Sequence, residues 1–338
     1  MSVTILAGGL LTTVQDAGRV TQQASGFGVA GVMDPWAFRL ANLLVDNSPQ
    51  AAVLEMTSVG PDLQFNQDCV VAITGATGQA TLNGQPFPFY QAQLVLRGQR
   101  LAIQRLTNGV RSYLAVAGGF MVPKVMGSRS TSTRYQLGGF HGRPLQSGDV
   151  LPLKSSTAYV SDYGNRHLPI PTYAAAQITV NVTPGPQFDQ FGQAVQQAFT
   201  QATFTVSNAA DRMGYRLTGA KLKVAQTGNL LSEGTFFGGI QVPQNGDPII
   251  LLADRQTTGG YPVIAVIASV DLPLIAQLQP GMTIKFKLIS IAAAQQLIEA
   301  QRNKLTLLKQ QVGQASEQDL SPRLAATRVA RLFNGSSR

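Results

Sequence analysis

The feature that most limits the fold is a succession of short apolar runs rich in β-branched residues, each soon broken by turn chemistry. ATL, QLVL, RLAIQRL and RSYLAVA lie around Asn83-Gly84 and Asn108-Gly109. Asn-Gly favours two-residue hairpins because both residues tolerate positive φ. The pattern predicts a mostly β fold with a hairpin at each pair. At 338 residues, 44% of them hydrophobic, the chain can fill two cores. From Ser155 to Ala176 the periodicity lapses and two prolines intervene, as expected of a crossing between domains. The expected division is a β domain over residues 1–165, a second over 175–292, and a helical, basic extension over 293–338.

Helical signals are few. Asp34-Pro35 is an N-cap followed by proline at the first helical position; Trp36, Leu40, Leu43 and Leu44 then share a face before Asn47 and Pro49 stop the run. A second helix is expected from about Phe188 to Phe199. From Ile291 to Val312 the residues Ile298, Leu305, Leu308 and Val312 fall on one side, and Ser321-Pro322 begins another start. This reads as a docking helix with a basic tail rather than a contact with membrane or an acidic partner.

Net charge is +9, yet seven of the Lys and Arg residues lie from Gln301 onward, against Glu317 and Asp319. The rest is close to balanced and has no aromatics interleaved with basic residues, which argues against a nucleic-acid partner. Cys69 lies in the apolar run DCVVAI and reads as a buried, inert thiol. His141 and His167 have no ligand-spaced companion, so no protein-built metal site is expected. The start MSVTILAGGLL has no charged leader region, and no apolar run reaches the ~18 residues of a membrane span. A soluble, cytoplasmic setting is the expectation.

Gly26, Gly28 and Gly31 spell G-x-G-x-x-G, but TQQAS before them is not a strand and a dinucleotide fingerprint needs one. No phosphate-loop motif occurs. The informative segments carry arginine among hydroxyls and glycines. GSRSTST places Arg129 beside Ser130 and Thr131; SNAADRMGYRL holds Arg212 and Arg216; ADRQTTGGYPVIA holds Asp254, Arg255, Thr257, Thr258 and Tyr261. A guanidinium with small neighbours can grip a carboxylate or phosphate through two parallel bonds. It can equally be solvated or serve a structural ion pair, and burial decides which. The last segment separates two apolar runs, PIILL and PVIAVIA, by nine positions, more than a hairpin needs. Gly259 and Gly260 would shape its backbone. Glu55, embedded in AVLEMT, is either a general base with a raised pKa or a paired structural carboxylate.

VQDAGR, GVMDPWAFRLANLLVDN, LEMTSVGP, SYLAVAGGF, VPKVMGSRST, GRPLQSGDVL, SNAADRMGYRL, SEGTFFGGIQVP, GDPIILLADRQTTGGYPVIA and DLPLIAQLQPG follow one another in that order. Together they resemble the C subunit of bacterial 5-oxoprolinases. That family is related to the antagonist of a sporulation-kinase inhibitor and to the carboxyltransferase domain of urea carboxylase. The resemblance spans about Val14 to Ser290 and implies two cyclophilin-like β-barrel domains. It also implies two partners, the B subunit, which resembles the kinase inhibitor, and the A subunit. ATP and magnesium, bound on this chain, on the B subunit or at a site the two share, would open 5-oxoproline to glutamate. Arg255, Asp254 and Glu55 would serve the chemistry. Arg129, Ser130, Thr131, Arg212, Arg216, Gln241, Thr257, Thr258 and Tyr261 would hold the small-molecule substrate. The alternatives are biotin-dependent carboxyl transfer, with biotin on another protein because no A-M-K-M-like segment occurs here, and a non-catalytic antagonist that binds a kinase inhibitor.

Overall fold

The structure, a computed structural model, describes residues 1–154, 160, 162–173, 175–223 and 231–314. Nine strands build the first lobe: β1 (Ser2–Ala7), β2 (Leu11–Gln15), β3 (Val53–Thr57), β4 (Asp62–Phe65), β5 (Cys69–Leu82), β6 (Gln85–Pro86), β7 (Gln93–Val95), β8 (Arg100–Val116) and β9 (Val150–Pro152). They form one curled sheet in the order β2-β3-β8-β4-β1-β9, with β5 laid along β8 and carrying β6 and β7. Helix α1 (Pro35–Leu44) covers it. Asp34 caps this helix by accepting from the backbone N–H groups of Trp36 (3.0 Å) and Ala37 (2.9 Å), and Ala37, Phe38, Leu40, Ala41 and Leu44 are buried.

The two Asn-Gly pairs part company. Asn83 (φ 50°) and Gly84 (φ 81°) close the β5–β6 hairpin as expected. Asn108-Gly109 does not turn the chain: it lies inside the 17-residue β8, which pairs with β5 through repeated register shifts. Gly109 (φ 104°) is a bulge, and a Cβ there would sit 2.6 Å from the Gln277 Oε1 of the second lobe. That oxygen accepts from the backbone N–H groups of Val110 and Arg111, both at 2.9 Å. The glycine therefore admits a neighbouring lobe, whereas the hairpin expectation considered only the local chain.

The second lobe contains β10 (Gln177–Pro184), β11 (Phe204–Ala210), β12 (Gly214–Thr218), β13 (Glu233–Gly234), β14 (Gly239–Gln241), β15 (Ile249–Leu251), β16 (Thr258–Gly259), β17 (Val263–Ile267) and β18 (Thr283–Leu288). Seven of them close a barrel in the order β10-β17-β14-β15-β12-β11-β18, sealed by a parallel pairing of β18 with β10. Strands β13 and β16 pair separately. The fold is thus mostly β, with a half-barrel and a closed barrel. The expected helix at 188–199 begins as a 3-10 turn, Phe188–Gln190, and after Gly192 continues as α2 (Gln193–Gln201). Its Phe199 stacks on Phe286 at 4.7 Å inside the barrel core.

Two further helices follow, α3 (Leu272–Ala276) and α4 (Ile291–Gln314). Helix α4 turns back to the first lobe, where Leu308 and Val312 enter the core and Leu305 packs against it. The tail from residue 315, including the start at Ser321-Pro322, lies outside the described residues, as does most of Ser155–Val160 in the crossing.

Candidate functional site

The long loop after β15 has an architectural cause. Strands β15 and β17 do not pair with each other, because β14 lies between them and bonds to both. The connection must therefore span two inter-strand spacings, about 10 Å, which a two-residue turn cannot do. Within it Thr258 and Gly259 pair with Gly234 and Glu233. A Cβ on Gly259 would lie 2.5 Å from the Gln241 amide nitrogen, so this glycine lets Gln241 pass.

Arg255 is the unusual member. It is only 8% exposed, yet makes no ion pair among the described residues. Its Nη1 donates to the Leu252 carbonyl (3.3 Å) and its Nη2 to Gln23 Oε1 (3.2 Å), while Nε has no partner. Burial without compensating charge lowers its pKa to about 10. Gln23, on a 3-10 turn of the first lobe (Val20–Ser25), also donates to the carbonyls of Thr235 (2.6 Å) and Thr257 (3.2 Å). The loop's position is thereby set by both lobes.

A cavity of about 360 Å³ opens at this loop and is lined by Arg255, Arg216, Gln241, Thr258 and Tyr261, five of the expected residues, beside apolar Met213, Ile249 and Leu251. Arg216 and Tyr261 are exposed at it, whereas Gln241 is buried. Asp211 and Thr235 line it too. Asp211 lies in the arginine-bearing segment SNAADRMGYRL and Thr235 in the motif SEGTFFGGIQVP, where its hydroxyl donates to the Gln256 carbonyl, but Gln23 carries no sequence signal, since its partners lie more than 200 residues away. Thr257 and Gly260 are not among the lining residues.

The other expected residues fall elsewhere, each for a visible reason. Arg212 is saturated: it bonds Glu55, both Asp254 oxygens (2.9 and 3.2 Å) and the Gly31 carbonyl (2.6 Å). Burial opposes its charge, but Glu55 and Asp254 outweigh this and raise its pKa. Asp254 thus pairs with Arg212 and not with its neighbour Arg255. Glu55 is 2% exposed, and beyond Arg212 it accepts from the Met33 backbone N–H (2.8 Å) and the Tyr113 hydroxyl (2.9 Å). It lines neither this cavity nor the larger one described below.

The GSRSTST segment does bind an anion, and the anion is the protein's own Asp16. The Ser128 and Ser130 hydroxyls donate to Asp16 Oδ1 (2.5 and 2.6 Å) and the Arg129 backbone N–H to Oδ2 (2.6 Å). The Arg129 side chain donates to the Val122 carbonyl (2.8 Å), and Thr131 to the Val14 carbonyl (3.0 Å). Among the described residues, no group of three or more His, Cys, Asp or Glu side chains is placed to hold a metal ion. No described helix is long and apolar enough to cross a membrane.

Comparison with known proteins adds to this geometry. Residues 25–288 match the family described as carboxyltransferase domain, subdomain A and B. The chain is 40% identical over 298 residues to the C subunit of 5-oxoprolinase from Escherichia coli, covering 86% of this chain and 92% of that protein. The C subunit of the Haemophilus influenzae 5-oxoprolinase is 37% identical over 285 residues, covering 84% and 90%. Urea amidolyase of Saccharomyces cerevisiae is 35% identical over 320 residues, 89% of this chain but 17% of that protein. The crystal structure of Kluyveromyces lactis urea carboxylase matches with TM-score 0.85 and 33% identity, covering 91% of this chain and 29% of that one.

Proposed function

Since the chain belongs to the carboxyltransferase subdomain A and B family, we propose that it serves as the C subunit of an ATP-dependent 5-oxoprolinase, working with the A and B subunits. The observation that supports this most is Arg255. A buried guanidinium without a counter-ion is costly unless a ligand anion neutralises it, and 5-oxoproline is a small carboxylate. In this reading its carboxylate meets Arg255, with Arg216, Gln241 and Tyr261 around the ring. Opening a lactam needs its oxygen activated. Phosphorylation by ATP supplies that, and cationic donors stabilise the charge that spreads as the phosphoryl group moves. ATP with magnesium then binds at a surface shared with the B subunit, since this chain carries no phosphate loop.

The test is to purify the chain with the A and B subunits and to assay ATP-dependent glutamate formation from 5-oxoproline. Turnover that needs all three supports the reading, and none by the assembled complex ends it. Likeness to urea carboxylase over 91% of the chain favours a second reading, carboxyl transfer from biotin carried by another protein. Activity that requires bicarbonate and is abolished by avidin would select it. A purely binding role for the chain predicts that Arg255→Ala leaves activity of the complex intact.

A further inference from the structure

A second, larger cavity lies on the other side of Arg255. It occupies about 600 Å³ between α1, the 3-10 turn at Val20–Ser25, Phe237 of the second lobe, and α4. Its walls are mainly apolar, with Phe38, Leu43, Phe237 and Leu305 among them. Three cations, Arg39, Arg255 and Lys309, also line it, and no Asp or Glu does. Apolar walls with cations and no carboxylate suit one class of occupant.

We infer that this cleft is a second ligand site, for a carboxylate or similar monoanion carried on an apolar body such as a medium-length acyl chain, with α4 as one wall. The inference goes beyond the proposed reaction and does not depend on it. Cavities of roughly 300–1,000 Å³ hold small molecules. The wall is held in place: Leu308 and Val312 are buried in the first lobe's core, and the Lys304 ammonium lies 6.0 Å from the Trp36 ring centroid. The family match ends at residue 288 and α4 begins at Ile291, so a segment outside the matched region shapes what this cleft accepts.

Charge argues against the chain's own tail as occupant. Residues 315–338 carry four arginines against Glu317 and Asp319, the wrong sign for a cationic cleft. Arg255 lines both cavities, so an anion bound here competes for it with one in the smaller cavity.

Isothermal titration of the full-length chain with hexanoate, octanoate and decanoate tests the inference directly. Each added methylene should tighten saturable binding about fourfold, and decyltrimethylammonium should bind at least about 10-fold more weakly than decanoate. Arg39→Glu and Lys309→Glu, at exposed positions, should each weaken decanoate about 10-fold. Val20→Trp, at a 68% exposed lining residue, should block the cleft without lowering the melting temperature. Equal binding of the cationic and anionic amphiphiles, no saturable binding, or undiminished binding by Val20→Trp would overturn it. Each measurement reads binding to this chain alone, so the result stands apart from whether the assembled complex hydrolyses 5-oxoproline.

Discussion

Arg255 and Arg212 sit in similar sequence contexts and meet opposite fates. Both are buried arginines on polar segments, but Arg212 is surrounded by two carboxylates and Arg255 by none. Sequence exposes the arginines but not their partners, because Glu55 lies 157 positions from Arg212. Arg255→Met should therefore leave stability unchanged or raise it, since it removes an uncompensated buried charge. The same change should raise KM for an anionic substrate about 10- to 100-fold, the worth of a charge-assisted contact. Urea unfolding beside steady-state kinetics checks both, and a large loss of stability would contradict the placement. Gly259→Ala forces the Gln241 amide aside and leaves the strand pairing alone. It should alter KM severalfold with little change in unfolding midpoint, and unchanged kinetics would show that Gln241 is not at the ligand.

At the scale of the element, the cap of α1 was legible because Asp-Pro before an amphipathic run is a local signal. The bulge at Asn108-Gly109 was not, since its cause is Gln277. The length of the Asp254–Pro262 loop was legible as an excess, but its main reason, the interposed β14, is topological. The Asp34 cap also carries a pH signature. Its carboxyl is pushed from 3.8 up to about 6, chiefly by burial, against the bonds from Ala37, Gln277 and Trp36. Folding thus favours the protonated form. The stabilisation this group contributes is fully present below about pH 4 and is lost as pH rises through about 6. The difference is on the order of 3 kcal/mol. Asp34→Asn should flatten that part of the stability profile, which chemical unfolding at several pH values between 4 and 7 will show. An unaltered slope would rule Asp34 out as its source.

For the whole molecule, the alternation of short apolar runs was enough to indicate a mostly β chain, and the ordered motifs indicated its family. What they could not carry is how the two lobes join. Glu55 of the first lobe meets Arg212 and through it Asp254, while Gln277 reaches Val110, Arg111 and Asp34. Arg111 in turn donates to the Tyr215 hydroxyl and the Ala276 carbonyl. Such a seam is assembled only in three dimensions. Glu55→Ala, which leaves Arg212 under-neutralised, should cost about 3–5 kcal/mol in urea unfolding. Glu55→Gln, which preserves the acceptor for Tyr113, should cost less and leave the pH dependence of kcat unchanged. A shifted kcat profile in Glu55→Gln would instead restore Glu55 as a base.

The parallel seal between β10 and β18 sets a schedule for biosynthesis. The first barrel strand stays without its final neighbour until Thr283–Leu288 has left the ribosome. The first lobe waits longer still, because Leu308 and Val312 of α4 belong to its core. The first lobe therefore cannot finish folding until the second has been made, so a nascent chain released before about residue 288 would expose apolar surface from both lobes, and one released between about 288 and 312 from the first alone.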